Sequence, residues 1–311
     1  MRRGKTRTLG FMDSRSGTIG EAEFVALDAL MHVNTAWAAA RYCKEQRLGL
    51  SDCLIGKTSL CSEDCVMAEQ HKPQHNHLLA ALPAEVQSRL FPNLELIEMP
   101  YGKVLYESGD TMRHVYFPVD AIVSLLYVME NGASAEVSVV GNEGFVGMAL
   151  LMGGDSTPSQ AMVQSAGHAY RLAAYLFKEE FHRHSEMQVL LLRYMQALIT
   201  QMTQTAVCNR HHSIEQQLCR WLLLCLDRVP GDQLYMTQEL MASMLGVRRE
   251  GITEAAGNLQ KNGAIEYGRG RIKVLDRRVI EKLSCECYAV VRKETDRLMP
   301  FSTGQVALAS P

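Results

Sequence analysis

The sequence has no long apolar run. Nowhere in its 311 residues do about 18 uncharged apolar residues follow one another, which is the length that a membrane-spanning helix needs. The N-terminal stretch MRRGKTRTLGFMDSRSG is charged but has no apolar h-region behind it, so it lacks the pattern of a secretory signal. We therefore expect a cytoplasmic protein that makes no membrane contact.

The common catalytic motifs are also missing. The sequence contains no glycine-rich phosphate loop before a helix, no Gly-x-Ser-x-Gly and no His-Glu-x-x-His. Between residues 94 and 172 the only histidines are His114 and His168, too few for the metal centre of a cupin-like β-barrel enzyme. We predict that the protein is not an enzyme and has no catalytic residues.

The cysteines give no sign of a disulfide framework. There are nine of them, an odd number scattered through the chain, which is typical of reduced thiols in a cytoplasm. Four lie near the N-terminus with the spacing C-x9-C-x7-C-x3-C, at Cys43, Cys53, Cys61 and Cys65. That spacing fits no standard metal motif, although four thiols this close together could still bind a metal, and this alternative stays open.

The remaining cysteine and histidine pairs have simpler explanations. Cys285-x-Cys287 is expected to pack in a core rather than to bind a ligand. The short histidine motifs are expected to be solvated polar positions; they are His75-x-His77, His182-x-His184 and His211-His212. We predict no bound metal and no cofactor.

The net charge is close to zero. With 32 Lys and Arg against 34 Asp and Glu, any affinity for nucleic acid must come from a local basic surface. Residues 246–278 provide one, since they contain eight basic residues and four acidic ones.

The composition divides the chain into regions. Residues 1–75 combine a basic start, one predicted helix over 21–46 and a cysteine-containing stretch, and we expect a partly disordered extension. Met67 is an alternative start for a self-sufficient chain. From 94 to 172, short apolar runs alternate with turn signals such as Asn131-Gly132, whose residues favour the positive φ angles of a type I′ hairpin. This pattern predicts an antiparallel barrel or sandwich.

A long helix is predicted from 186 to about 209. Its apolar residues recur with a period of 3.6 and include Val189, Leu192, Met195, Ile199 and Met202. This stripe could pack against a second copy of the helix or across the barrel of its own chain, and both alternatives can hold on different faces. A further helix is predicted over 214–227.

Residues 237–262 have the pattern of two helices joined by a tight turn. Thr237 suits an N-cap, and Gly246 suits the positive φ of the turn. The second helix has an apolar stripe at i, i+3, i+4 and i+7, formed by Ile252, Ala255, Ala256 and Leu259. Its opposite face is polar. Residues 265–274 then read as a hairpin with arginines at its tip. The pattern predicts a helix-turn-helix followed by a wing.

These motifs give the sequence a resemblance to a known family. Residues 76–298 resemble the Crp/Fnr family of bacterial transcription regulators. The resemblance rests on V-L-Y-E-S-G-D (104–110), V-Y-F-P (115–118), G-N-E-G-F-V-G (141–147) and M-T-Q-E-L-M-A-S-M-L-G-V-R-R-E (236–250). It implies an α+β protein with an antiparallel β-roll of the cyclic-nucleotide-binding type, a long dimerisation helix and a winged helix-turn-helix.

The resemblance also assigns roles to residues. Arg249 and Glu250 match the pair that reads base edges, arginine suiting guanine and glutamate suiting cytosine. Glu254 stands where well-known members have an arginine, so a different operator is expected. Arg248 stands where a capping serine often occurs, which puts the first turn of the second helix in question. The predicted DNA-binding residues are Thr237, Gln238, Arg248, Arg249, Glu250, Thr253, Glu254, Lys261, Arg269 and Arg271.

The effector domain departs further from the family pattern. Met148 follows the glycine where cyclic-nucleotide binders have a ribose-binding glutamate, and Ser159-Gln160 replaces their Arg-Ser/Thr pair. No Arg or Lys lies between Arg113 and Arg171, so a cyclic phosphate would have no cationic side chain there. The candidate effector-binding residues are Glu143, Met148, Ser159 and Gln160.

The predicted organisation follows from these assignments. We expect an extension (1–75), a β-roll effector domain (76–185), a dimerisation helix (186–210), a winged helix-turn-helix domain (211–298) and a tail (299–311). The predicted function is a homodimeric regulator on an inverted-repeat operator. Its expected partners are double-stranded DNA, RNA polymerase and an unidentified small effector. The alternative is a redox, metal or small-molecule sensor that acts mainly through protein–protein contact.

Overall fold

Two antiparallel sheets build the N-terminal half of the computed structural model, which describes residues 71–183 and 186–299. One sheet has the strand order β2-β6-β4-β5 and the other the order β1-β7-β3. The strands are β1 (Glu95–Met99), β2 (Val104–Tyr106), β3 (His114–Pro118), β4 (Ile122–Val128), β5 (Ser134–Val140), β6 (Gln160–Ser165) and β7 (Gly167–Ala173). The predicted antiparallel β-roll is confirmed.

Helices flank this roll along the chain and pack against it. Two short ones, α1 (His77–Ala80) and α2 (Ala84–Leu90), precede it, and α3 (Ala174–His182) follows it. Their buried side chains, including Leu78, Val86 and Phe177, join the core between the sheets. Neither α1 nor α2 was predicted from the sequence.

The long helix α4 (Glu186–His211) uses two faces. One face carries Leu191, Tyr194 and Leu198 into the core of the roll. The other leaves Val189 and Ile199 about half exposed, at 50% and 46%. The prediction that the helix lies across its own barrel is therefore confirmed for one face. An apolar stripe remains on the other.

The C-terminal half follows α4. Its elements are α5 (Ile214–Leu226), β8 (Gln233–Tyr235), α6 (Gln238–Leu245), α7 (Arg249–Lys261), β9 (Ile265–Gly268), β10 (Arg271–Val274), α8 (Arg277–Leu283) and α9 (Glu286–Leu298). The three strands form a small sheet in the order β8-β10-β9. The predicted helix pair and hairpin are confirmed, whereas β8 was not predicted.

Strand β4 joins the two halves because both of its faces are buried. Val123 and Leu125 point into the core of the roll, while Ile122 and Leu126 pack with residues of α5 such as Leu222. The apolar run that begins at Ala121 is thus explained by burial on both faces. The described residues from 71 to 299 accordingly belong to one compact unit.

Some expectations lie outside the described residues. They concern the N-terminal extension through residue 70, with its predicted helix and four cysteines, and the tail beyond residue 299. Within the described residues, no helix has the length and apolar character needed to cross a membrane.

Candidate DNA-binding interface

The helix pair α6–α7 is fixed by local signals. Thr237 Oγ1 accepts a hydrogen bond from the Leu240 N–H at 3.1 Å, which caps α6. Gly246 ends α6 in the left-handed conformation, with φ of 64°, where a side chain would be strained. The apolar stripe of α7 is buried, with Ile252 and Leu259 both fully inaccessible. These contacts leave the opposite face of α7 on the surface.

The first turn of α7 has no side-chain cap. Arg248 occupies the N-cap position with extended backbone (φ −75°, ψ 146°) and makes no capping hydrogen bond. The N–H groups of a helix N-terminus need acceptors, and the helix dipole favours an anion there. Arg248, Arg249 and Glu250 are all exposed at this end. The arrangement is suited to a phosphate or another anionic partner.

The polar face of α7 continues this surface. Thr253, Glu254 and Lys261 are exposed. The Thr253 hydroxyl lies 2.8 Å from Gln238 Oε1 and 3.0 Å from the Arg249 carbonyl oxygen, so its proton ties α7 either to α6 or to its own first turn. This contact places Gln238 beside the N-terminal part of α7.

The wing adds two more cations. Its tip has positive φ at Arg269 (53°) and Gly270 (74°), the geometry of a two-residue hairpin turn. The Gly270 carbonyl accepts the Met236 N–H at 2.8 Å, which anchors the tip to the residue that follows β8. Arg269 and Arg271 are exposed. On the neighbouring strand β9, Glu266 lies opposite Lys273 of β10.

The positive charge of this surface is free to interact with an anionic partner. In the part of the chain that the structure describes, none of the five predicted basic residues forms an ion pair. They are Arg248, Arg249, Lys261, Arg269 and Arg271. Several arginines elsewhere are paired, such as Arg277 with Glu281 at 2.9 Å. The surface therefore combines a basic helix N-terminus with a basic hairpin tip.

The two glycines of α7 have different surroundings. A Cβ added to Gly251 would lie 2.6 Å from Ile214 Cδ1 of α5, so the missing side chain allows close helix packing. A Cβ added to Gly257 would meet nothing within 4 Å. Only Gly251 is explained by packing.

The predicted effector residues have three different surroundings. The Glu143 carboxylate is buried and accepts a 2.7 Å hydrogen bond from Arg228 Nε, beyond the end of α5. Met148 packs against the core of the roll. Ser159 is buried beside Thr157, and Gln160 Nε2 donates to Glu107 Oε2 at 2.7 Å. Glu143 thus connects the roll to the C-terminal half.

A second buried carboxylate reinforces this connection, and it was missed from the sequence. Glu136 of β5 accepts a hydrogen bond from Trp221 Nε1 of α5 at 2.8 Å. Burial raises its pKa from 4.5 to about 7, although hydrogen bonds from Ser124 and Trp221 oppose the shift. At the end of the same strand, Ser134 Oγ lies 2.6 Å from Ser243 Oγ of α6. The β4–β5 hairpin therefore contacts the helix-turn-helix directly.

Among the described residues, two groups of side chains have donor atoms close enough to hold a metal ion. His168 lies 3.4 Å from Asp120 and stacks on His71, with ring centroids 4.0 Å apart. The other group consists of three cysteines and a histidine where α4 meets α9. Local spacing could not reveal either group, because both combine residues from separate segments.

Comparison with known domains identifies the two halves. Residues 96–184 match the model of the cyclic nucleotide-binding domain, and residues 216–283 match the Crp-like helix-turn-helix domain. The chain belongs to the Crp/Fnr family. The protein is thus a DNA-binding transcriptional regulator of the Crp/Fnr type, not an enzyme. A search of curated proteins found no significant sequence match.

Solved structures agree with this fold. A Crp/Fnr-family transcriptional regulator from Eubacterium rectale ATCC 33656 aligns with a TM-score of 0.54 at 15% identity, covering 68% of this chain and 98% of that one. The regulator CLP of Xanthomonas campestris, described as c-di-GMP responsive, aligns with a TM-score of 0.51 at 16% identity, covering 62% and 100%. At such identities these similarities establish the Crp/Fnr fold alone.

Proposed function

We propose that this Crp/Fnr protein is a homodimer that binds an inverted-repeat operator and reads it with the N-terminal turn of α7. The observation that carries the proposal is the unpaired basic surface formed by that turn and the wing tip. A helix in this position in a helix-turn-helix offers its first residues to the major groove, while a wing contacts the backbone.

The roles of individual residues follow from their chemistry and exposure. Arg249 suits the O6 and N7 atoms of guanine, and Glu250 suits the amino group of cytosine. Arg248, Thr253, Lys261 and the two wing arginines contact phosphates or bases and fix the register. Thr237 and Gln238 support the same surface from the start of α6.

Glu254 gives this surface a negative position. It is exposed on α7 one turn after Glu250, so it repels a phosphate that an arginine would attract. We infer that the operator differs from the sequence that the best-known members of the family recognise.

Dimerisation is supported by α4. Val189, Leu192 and Ile199 are each 46–50% exposed and follow one another at spacings of three and seven residues, as in the seam of a coiled coil. Pairing α4 with its copy would bury these side chains. Two α7 helices would then reach half-sites about one turn of DNA apart.

The effector domain is proposed not to bind cyclic nucleotide in the manner of the cyclic-nucleotide-binding members. Two observations support this. The roll has no Arg or Lys between Arg113 and Arg171 to pair with a cyclic phosphate. The Glu143 carboxylate is already bound by Arg228. The domain instead transmits its state through the contacts of the β4–β5 hairpin with α5 and α6.

Selection of binding sites from a random DNA library tests the proposal. We expect enrichment of an inverted repeat, and a binding constant that falls steeply with salt because phosphate contacts release counterions. Enrichment of single half-sites would contradict the dimeric arrangement. Equal affinity for all sequences would contradict base reading, and salt-independent binding would favour the alternative of a sensor that acts through protein contact.

A further inference from the structure

One side-chain cluster lies outside both matched domains. Cys208 belongs to the last turn of α4, and His212 follows one helical turn later, its N–H donating to the Cys208 carbonyl. Cys285 occupies the N-cap position of α9 without a side-chain capping bond, and Cys287 lies in the first turn of that helix. The matched regions end at residue 184 and at residue 283, and the second begins at residue 216. The cluster lies where the C-terminus of α4 meets the N-terminus of α9.

The four side chains already have the spacing of a metal site. Their donor atoms all lie within 4.8 Å of one another. Cys208 Sγ is 3.5 Å from Cys285 Sγ, and Cys287 Sγ is 3.5 Å from His212 Nδ1. Around a tetrahedral Zn²⁺ ion, two sulfurs lie about 3.8 Å apart and a sulfur and a nitrogen about 3.6 Å apart, as Zn–S and Zn–N distances of about 2.3 and 2.0–2.1 Å require. The ligands need only small adjustments.

The surroundings also favour a metal centre. Cys208 and Cys287 are fully buried, and Cys285 is 5% exposed. His212 directs Nδ1 to the cluster, while its Nε2 lies 3.3 Å from Glu286 Oε2. A carboxylate on the second nitrogen is the usual means of orienting a histidine ligand. Gln204 Nε2 donates to Cys287 Sγ at 3.2 Å, a contact that stabilises a thiolate.

A neighbouring cation fits the charge of such a centre. Arg220 of α5 is 2% exposed, and its charge acts on Cys208. Its Nη1 donates to Thr205 Oγ1, its Nε has no hydrogen-bond partner, and no described carboxylate forms an ion pair with it. The carboxyl group of Glu136 acts on Arg220 electrostatically but forms no ion pair with it, so the buried guanidinium lacks a directly bonded counter-charge, which is costly. Three thiolates, a neutral imidazole and Zn²⁺ together carry one negative charge, which would offset it.

We propose that Cys208, His212, Cys285 and Cys287 form a tetrahedral Zn²⁺ site that clips the C-terminus of α4 to the start of α9. The donor set of three sulfurs and one nitrogen is typical of structural zinc. It leaves no open position for a substrate. The clip lies next to Ser213, where the chain passes from the long helix into α5, so it fixes the winged domain at its junction with α4.

Metal analysis of the full chain tests the site. The background variant has all four N-terminal cysteines replaced by serine (Cys43→Ser, Cys53→Ser, Cys61→Ser and Cys65→Ser), which removes that second set of thiols. Expressed with zinc and purified under reductant, it should retain about one zinc per chain by mass spectrometry. Adding Cys285→Ala and Cys287→Ala should abolish the zinc. The matched control, Cys219→Ala and Cys225→Ala, removes two buried thiols of α5 and should retain it.

A second variant separates ligand loss from misfolding. His212→Cys keeps four ligands, so it should still bind Co²⁺ in tetrahedral geometry, with thiolate-to-cobalt absorption about a third stronger than in the background variant. A chelator should lower the melting temperature of the background variant but not of the double-alanine variant. The proposal is overturned if the background variant binds no zinc or cobalt. It is equally overturned if the double-alanine variant retains the metal, or if the native protein carries a Cys208–Cys285 disulfide.

Discussion

Replacing Glu136 by glutamine should change how the stability of the protein depends on pH. Ser124 Oγ lies 2.6 Å from both Glu136 Oε2 and Gln164 Oε1. A hydroxyl has one proton, so it cannot donate to both oxygens. A protonated Glu136 resolves the conflict, since it donates to Ser124, which then donates to Gln164. This geometry agrees with the raised pKa of about 7.

The sign of the effect follows from linkage. Below pH 4.5 the carboxyl group is protonated in both the folded and the unfolded chain. Between about 4.5 and 7 the folded chain keeps a proton that the unfolded chain has lost, so the free energy of unfolding falls as the pH rises. With 1.36 kcal/mol per pH unit, this loss amounts to roughly 3 kcal/mol. Above pH 7 it no longer changes.

The Glu136→Gln variant should lack this dependence. Its amide can accept from Trp221 and donate to Ser124, so it reproduces the protonated acid. Urea unfolding followed by tryptophan fluorescence, from about pH 5 to pH 8, gives the stability of both proteins. The variant should gain about 3 kcal/mol relative to the wild type over this range. Glu85→Gln, at an exposed position of α2, is the control. A constant difference between Glu136→Gln and the wild type across this pH range would contradict a raised pKa of Glu136.

Two further predictions concern helix surfaces. Gly257→Ala should stabilise the protein by up to about 1 kcal/mol, because alanine favours a helix and the site is open. Gly251→Ala should be less stable than Gly257→Ala by about 1 kcal/mol, since Ile214 must move; equal unfolding midpoints would contradict this. Ile199→Glu should convert the dimer to a monomer, as measured by light scattering, because it places a charge in the α4 seam. The control Tyr175→Glu, at an exposed apolar position of α3, should leave the dimer intact. A dimeric Ile199→Glu variant would exclude this seam.

The parts of the fold that could be predicted from the sequence are those with strong local signals. The cap at Thr237, the left-handed turn at Gly246 and the four-residue apolar stripe of α7 determine the helix-turn-helix within 25 residues of chain. The absent cap at Arg248 also follows from its residue type, because an arginine side chain offers no acceptor to the first N–H groups.

Other features depend on distant partners. Strand β8 has three residues and owes its conformation to pairing with β10, so no local pattern announces it. Glu143 looked like an effector ligand, yet its partner Arg228 lies 85 residues away. The cysteine cluster joins segments 75 to 77 residues apart. The i, i+4 spacing of Cys208 and His212 and the Cys285-x-Cys287 motif are visible in the sequence, but neither pair alone supplies four ligands. The site is recognised only when the fold brings the two pairs together.

Helix α7 is proposed to read the base sequence while the wing contacts the DNA backbone. A comparison of Arg249→Ala and Arg271→Ala on the selected operator and on random DNA, at one salt concentration, tests this division of roles. Lys293→Ala, which removes an exposed charge from α9, is the control. Arg249→Ala should lose about 1–3 kcal/mol on the operator and much less on random DNA, whereas Arg271→Ala should weaken both alike. Equal losses on operator and random DNA for Arg249→Ala would contradict the claim.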